Sequence, residues 1–494
     1  FQQGGNLYVL DLPTEQLHKL AVSVPDDGLQ TSARYVDAGK FIRDSDAAQQ
    51  TDFDIAPNGK RAVLNARGDL FTIPAEHGDT RDLTETSSAD DDHPAWSPDG
   101  TQIAYTTDSS GEQQIALRPA EGGAEKTLTH FKTGFFYQPV WAPGGDKLAF
   151  SDNEHRLWLL NLTGGAPVQV AQDRYNEIHD YAWSPDGRWL AYSTTDENQV
   201  RSISLYNVES GKATHVSTSR DNDFSPAFDP DGKHLYFIST RHENPTFSES
   251  EFNVATLKST GVYVTTLQAD EVSPFAPRSD EGTVEAAKKG GKKEDKDENK
   301  AAWKPGASKP VKIDLDDLMQ RAVPLPVPAA EIAGLDVRKG VVYYFTTPSQ
   351  TIEGKLPGEI SELHAFDLSK RKDAVVIAGL DSYRLSANGE KVLYKKDKSW
   401  FIVDAKPAGD GDAKKSGNKP LDLSHMRMRV EPRQEWREMF ETAWRLERDF
   451  FYNRKMNGTD WDAVRASYEK LLPLVGSRED LNYVIGEMQG ELGN

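Results

Sequence analysis

Cysteine is absent from this chain of 494 residues, which removes disulfides, thiolate metal sites and cysteine nucleophiles together. The absence fixes no compartment, since a cysteine-free chain suits the cytosol or the periplasm alike. No apolar run approaches the roughly 18 residues that a membrane-spanning helix requires, so no membrane partner is expected. Positive charge is scarce too: 58 Lys and Arg stand against 78 Asp and Glu, for a formal net charge of −20. Phosphate backbones are held by clustered Lys and Arg, so nucleic acid is not an expected partner either.

Several motifs are missing as well. No Gly-x-Ser-x-Gly elbow of an α/β-hydrolase occurs. The 11 histidines never form His-x-x-x-His or His-Glu-x-x-His. No glycine-rich phosphate loop follows a strand, and the Asp-Gly turns lack the alternating acids and terminal Glu of an EF-hand. Read alone, these residues designate no cofactor-binding residue, no metal ligand and no catalytic residue.

What is present is a repeat. Trp96-Ser97-Pro98-Asp99-Gly100 returns as Trp183-Ser184-Pro185-Asp186-Gly187, with variants at Ile55–Gly59, Trp141–Gly145, Phe228–Gly232 and Leu385–Gly389. Each sits between two apolar strands. Pro presets φ for a turn, and Asp-Gly or Asn-Gly tolerates positive φ in a tight hairpin. The turn glycines at 59, 100, 145, 187 and 232 step by 41, 45, 42 and 45 residues, and each step holds four short strands. In the second these are His93–Trp96, Gln102–Thr107, Gln114–Arg118 and Glu125–Thr129. A four-stranded unit every 40–45 residues is the mark of a β-propeller blade. A β-sandwich with chance turns would not keep that period.

A degenerate turn at Gly340 and the match at Gly389 bring the count to seven blades, within residues 35–427. The long fifth step carries a disordered insertion near 272–310, centred on the Lys-, Glu- and Asp-rich stretch Ala286–Ala302. It reads as a solvated loop or as a docking tail for a charged partner. Ile313–Arg321 then reads as re-entry into the blade. From Glu431 the apolar period changes from two to 3.6, with Trp436, Phe440 and Trp444 on one helical face. Asp460 is placed to cap a second helix, and Ser477 with Asp480 a third. The fold class is therefore mainly β: a seven-bladed propeller followed by a small α-helical segment.

The densest acidic cluster is Asp90-Asp91-Asp92-His93 at the start of an inner strand. It could face the central channel and bind a cation or a peptide amino terminus, or it could be a solvated loop between blades. Asp54, Asp180 and Asp223 stand at comparable offsets and suggest either an acidic channel rim or ordinary turn capping. Trp96, Trp141 and Trp183 read as packing between blades.

The helical tail carries a resemblance. Met428-Arg429-Val430-Glu431-Pro432-Arg433-Gln434-Glu435-Trp436, running on through Phe440, Trp444 and Asp449-Phe450-Phe451-Tyr452, closely resembles the first helical segment of the tricorn proteases. Gly458-Thr459-Asp460-Trp461 and Arg478–Leu492 continue the match. The Trp-Ser-Pro-Asp-Gly repeats are less specific, since TolB-like and prolyl-oligopeptidase-like proteins share them. The resemblance implies that residues 1–34 end a preceding six-bladed propeller, and that 428–494 are the first core segment of a peptidase. The chain opens on Phe1 rather than Met and reads as part of something longer. In the family a Ser-His dipeptide follows the Gly-Glu-Leu stretch, here Gly490-Glu491-Leu492, so no family catalytic residue is assigned to any position. The implied activity of the parent is serine-dependent hydrolysis of oligopeptides, endopeptidase or carboxypeptidase-like, with the propeller as channel. Peptide substrates, a homohexamer, aminopeptidase partners and a cytoplasmic setting are implied too, a periplasmic one being the alternative. Two other readings stay open: a TolB-like or scaffold propeller that binds proteins, and the propeller of a prolyl-oligopeptidase-like hydrolase. Finally, the many aromatics of the tail lead us to expect large apolar faces left uncovered within it.

Overall fold

Seven separate antiparallel sheets follow one another along the chain in a computed structural model that describes residues 1–3, 6–22, 27–42, 52–242, 245–247, 254–276, 309–352, 354–406 and 418–493. Blade 1 comprises Phe53–Ile55, Arg61–Ala66, Asp69–Pro74 and Arg81–Asp82. Blade 2 spans Asp91–Trp96 to Lys126–Thr127, blade 3 Val140–Trp141 to Val168–Gln172, and blade 4 Tyr181–Trp183 to Lys212–His215. Blade 5 spans Asp223–Phe228 to Val323–Pro324, blade 6 Glu331–Arg338 to Lys372–Ala378, and blade 7 Ser382–Leu385 to Ser399–Asp404. The architecture is the seven-bladed propeller that the turn spacing predicts. Each predicted turn glycine takes a positive φ, from 67° to 76°, as its hairpin requires.

Blade 7 departs from the four-stranded expectation. Its sheet has three strands among the described residues, and Leu421 donates its backbone N–H to Trp400 in the outer place. Blade 5 adds a hairpin of Pro245–Phe247 and Val254–Thr256 beside its sheet. Ala286–Ala302 lies outside the described residues. The re-entry segment is not a strand: Leu318–Arg321 is a 3₁₀ turn whose Leu318 and Met319 bury against blades 4 and 5.

The core lies between blades. A blade buried on both faces needs strands that are apolar on both sides, and Arg61–Ala66 and Gln102–Thr107 are buried almost throughout. Every neighbouring pair of blades shares its own apolar cluster, such as Val63, Trp96 and Tyr105 between blades 1 and 2. Phe53 packs edge-on against Trp400, 4.7 Å between ring centroids, where blade 7 meets blade 1. Each such large side chain removed from water stabilises the ring by roughly 1.5–3 kcal/mol.

Among the described residues no strand is shared between the first and last blades. Instead the chain's way in and way out pair with each other: Arg34–Asp37 forms an antiparallel ribbon with Arg427–Val430. Met428 and Val430 on that ribbon bury into the cluster that joins blades 7 and 1. Residues before it form a three-stranded sheet, Gln2–Gln3, Asn6–Asp11 and Gln16–Leu20, with Leu7, Val9, Leu10 and Leu17 exposed.

Three helices follow: α1 (Pro432–Phe450), α2 (Trp461–Tyr468) and α3 (Arg478–Gly490). The predicted caps form. Asp460 accepts from Ala463 N at 3.0 Å, and Ser477 with Asp480 makes a reciprocal capping box. The expectation of uncovered aromatics holds for Phe450, Tyr452 and Tyr483 and fails for the rest. Trp436, Phe440, Trp444, Trp461, Leu481 and Met488 bury against one another in a single cluster. The Trp444 and Trp461 indoles each donate to the other's backbone carbonyl at 3.0 Å. What stays exposed is Leu446, Phe450, Tyr452, Leu474 and Tyr483.

Candidate functional site

The innermost strands of all seven blades line an axial cavity of about 500 Å³. Position within the repeat decides what faces it. Five residues ahead of each turn glycine stand Asp54, Ala95, Val140 and Ala182, then Ala227, Leu335 and Arg384, and all seven line the cavity. Five of them are small or apolar. The two charged ones, on blades 1 and 7, approach to 4.0 Å. Burial pushes the Asp54 carboxyl up, against the pull of Arg384 and the hydrogen bonds it accepts from Trp96 N at 2.7 Å and Ile55 N at 2.8 Å.

One residue farther along, the expected aromatics bind blade to blade. The Trp141 indole donates to Ala95 O at 3.0 Å, and the Trp183 indole donates to Val140 O at 3.1 Å. Trp96 and Trp183 are buried. These residues therefore hold the wall of the cavity as well as line it.

The sequence-designated acids do not form one rim. Asp90-Asp91-Asp92-His93 splits three ways, and it is not a solvated loop. Asp91 and Asp92 lie buried in the inner strand of blade 2. Burial, with Asp69 nearby, pushes the Asp91 carboxyl well up. Asp90 turns toward the helices and takes part in a second cavity, described below. His93 is a bulged residue at φ 54°, with Nδ1 3.3 Å from Asp52 and 4.0 Å from Asp92. Asp52, Asp92 and His93 are the one group among the described residues whose atoms could converge on a cation. Asp180 ties blades 4 and 5 by accepting from Ser225 N at 3.2 Å and pairing with Arg201. Asp223 is wholly buried and accepts from Arg241 at 2.7 Å and Ser217 at 3.0 Å. Of these acids only Asp54 faces the axial cavity.

A second feature escaped the sequence reading. The α1 helix has two faces, because residues three and four apart share a side. Trp436, Phe440 and Trp444 face the other helices. Glu435, Glu438, Arg445, Arg448 and Asp449 face the propeller. Arg67 of blade 1 grips Glu435 with two hydrogen bonds, at 2.5 and 2.9 Å. Arg448 grips Glu112 of blade 2, at 2.6 and 2.8 Å. Asp449 accepts from Gly134 N at 3.1 Å, and Arg454 reaches Glu154 of blade 3 at 2.7 Å. At the centre Arg445 is buried; it pairs with Asp108 and donates to Gly111 O at 2.7 Å. Glu438 lies 3.9 Å from Arg445, and burial with Asp108 beside it pushes its carboxyl up to about 8. A cavity of about 430 Å³ remains between blades 1 and 2 and the helices, lined by Asp90, Glu438, Met439 and Ile485 among others. The only sequence signal for this interface was the polar side of α1, which amphipathicity alone assigns to solvent.

His179, His234 and His364 each pair with a carboxylate, at 3.0 Å. The described geometry thus offers a walled axial lumen and a rigid helical mount, with no nucleophile, base and oxyanion donors assembled among the described residues.

Comparison with known proteins agrees on both halves. A family profile for the tricorn protease second beta propeller domain matches residues 50–406, and one for the tricorn protease C1 domain matches residues 432–490. Tricorn protease homolog 1 of Streptomyces coelicolor is 30% identical over 349 residues, which covers 69% of this chain and 32% of that protein. A tricorn protease homolog of Saccharolobus solfataricus is 26% identical over 496 residues, covering 99% of this chain and 42% of its own length. The crystal structure of the tricorn protease superimposes with a TM-score of 0.77 at 20% identity, over 99% of this chain and 44% of that one. The chain therefore spans about a third to a half of the length of these relatives.

Proposed function

The chain belongs to the tricorn protease family, and on that premise we propose that it supplies a peptide route and part of the scaffold of a serine protease rather than the reacting groups. The family profiles cover the propeller and the helices in turn, and both are present as folded units. One observation carries the reading. An axial cavity lies within a ring to which the first core helices are fastened by a row of ion pairs. A ring so fastened can hold a channel in fixed alignment with a peptidase core.

In this reading the hydrolysis is acyl transfer by an activated serine, with histidine as general base and donors for the oxyanion. In this reading no residue of this chain is assigned any of these roles. The parent acts on oligopeptides as an endopeptidase or carboxypeptidase-like enzyme, assembles as a homohexamer, works beside aminopeptidases and resides in the cytoplasm. Family membership is what supports each of these statements.

The test is direct. The purified chain should leave fluorogenic peptides intact and take up no fluorophosphonate label. Turnover that survives repurification and disappears on replacing a serine within the chain would contradict the division of labour. Light scattering on the parent protein checks the hexamer.

A further inference from the structure

The charges in the wall of the axial cavity are already engaged. Four charged residues stand among the described ones that line it: Asp54, Asp336, Arg338 and Arg384. Asp54 accepts from the backbone N–H groups of Trp96 and Ile55 and has Arg384 4.0 Å away. Arg384, on blade 7, also donates to Gln138, which leads into blade 3 on the other side of the ring. On blade 6 Asp336 accepts from the Tyr383 hydroxyl at 3.0 Å and has Arg338 3.5 Å away. Arg338 donates to Val337 O at 3.0 Å as well. All four side chains are mostly buried.

The neutral polar groups beside them are engaged too. The Trp141 and Trp183 indoles donate to Ala95 O and Val140 O, at 3.0 and 3.1 Å. The Tyr181 hydroxyl donates to Gln138 O at 3.0 Å, and the Gln138 amide donates to Pro94 O at 2.6 Å. The Trp96 indole nitrogen makes no hydrogen bond, but it is buried out of reach of the cavity. What the wall presents to an incoming chain is therefore chiefly carbon: Val140, Leu335, Phe228 and the tryptophan rings. Five prolines complete it, and a proline ring adds apolar surface while offering no N–H donor.

We propose that the axial cavity selects peptides by their apolar side chains, taking segments rich in Leu, Phe or Pro and turning away acidic and basic ones alike. This rests on the reading of the propeller as a peptide route and names the class of peptide that the route takes. A charged side chain that enters gives up its water and finds each opposite charge held by another partner. An apolar side chain gains roughly in proportion to the area it covers. The sign of a peptide's charge therefore matters little here, and its apolar content decides.

The absence of cysteine makes the test clean. Ala182→Cys puts a single thiol in the cavity wall, and Ala227→Cys does the same should the first variant not fold. The rate of modification by iodoacetamide, a small neutral reagent, is read in the presence of end-capped pentapeptides. A peptide of Leu, Phe and Pro should protect the thiol at a concentration about tenfold lower than a Glu-rich or a Lys-rich one. The two charged peptides should differ from each other by less than about threefold. On the same background Asp336→Asn leaves Arg338 without its carboxylate and should improve protection by the Glu-rich peptide alone. Arg338→Gln should improve protection by the Lys-rich peptide alone, so either folded variant suffices. Equal protection by all three peptides would leave the route standing and overturn the selection. A charged peptide that matches the apolar one, or variants that change nothing, would overturn it too. Were no peptide to protect while iodoacetamide still reached the thiol, the peptide-route reading itself would fall.

Discussion

Replacing Arg445 by Met is the sharpest test of how the helices are mounted on the ring. Arg445 is 4% exposed and pairs with Asp108, itself 6% exposed, while Glu438 stands 3.9 Å away. Methionine keeps much of the volume and deletes the cation, leaving two carboxyls facing each other without a counter-charge. Breaking a buried pair from one side costs about 3–5 kcal/mol. The pH dependence sharpens the prediction. Glu438 sits at about 8, above its ordinary 4.5, so the folded state holds a proton that the unfolded state has lost between those values. Stability therefore falls as pH rises through that window. In the variant Glu438 also loses the pull of Arg445, so the damage should be no smaller at pH 8 than at pH 6. Hydrogen exchange across Pro432–Phe450, corrected for intrinsic rate, reads the opening free energy at both pH values. A loss below about 1 kcal/mol at pH 8, or a larger loss at pH 6, would refute the reasoning.

Other outcomes follow from the same geometry. Glu438→Gln removes the proton-holding carboxyl and should flatten the decline of stability between pH 6 and 8, measured by urea unfolding. Gly232→Ala places a methyl group 2.7 Å from Val311 Cγ2 at a φ of +67°, and should cost more than Gly340→Ala, which meets nothing within 4 Å. The second pays only the backbone term of roughly 1 kcal/mol, and thermal unfolding compares the two. Trp183→Phe deletes the bond to Val140 O and should lower stability by about 1 kcal/mol without changing the blade count. Val36→Asp puts charge in the ribbon that joins the chain's two crossings of the ring. Exchange in Arg427–Val430 should then rise while the middle strands of blades 2 to 5 stay protected.

The blades were legible because each hairpin carries its own local instruction: Ser97 bonds Asp99, Ser184 bonds Asp186 and Ser386 bonds Asn388, each at 2.6 Å, inside the turn. Helix caps at Asp460 and Ser477 were legible for the same reason, since a cap and its partner lie within three residues. What sequence reasoning missed is non-local. Arg34–Asp37 and Arg427–Val430 pair across nearly the whole chain, and neither strand shows an apolar pattern that names the other. Arg384 and Gln138 meet only because seven blades close into a ring. The polar face of α1 looked like a solvent face, since Glu435, Arg445 and Arg448 find their partners on loops of two different blades. The acidic run at Asp90–Asp92 misled for a related reason: alternation along a strand sends neighbouring side chains to different places.

The account's central claim is that peptides enter the axial lumen. A pentapeptide carrying a diazirine, photolysed with the intact chain and mapped by mass spectrometry, tests it most directly. We predict crosslinks on the inner strands, at Ala95, Val140, Ala182 and Ala227, competed by the unlabelled peptide. Crosslinks confined to outer strands such as Val168–Gln172 and Lys212–His215, or spread without competition, would contradict it.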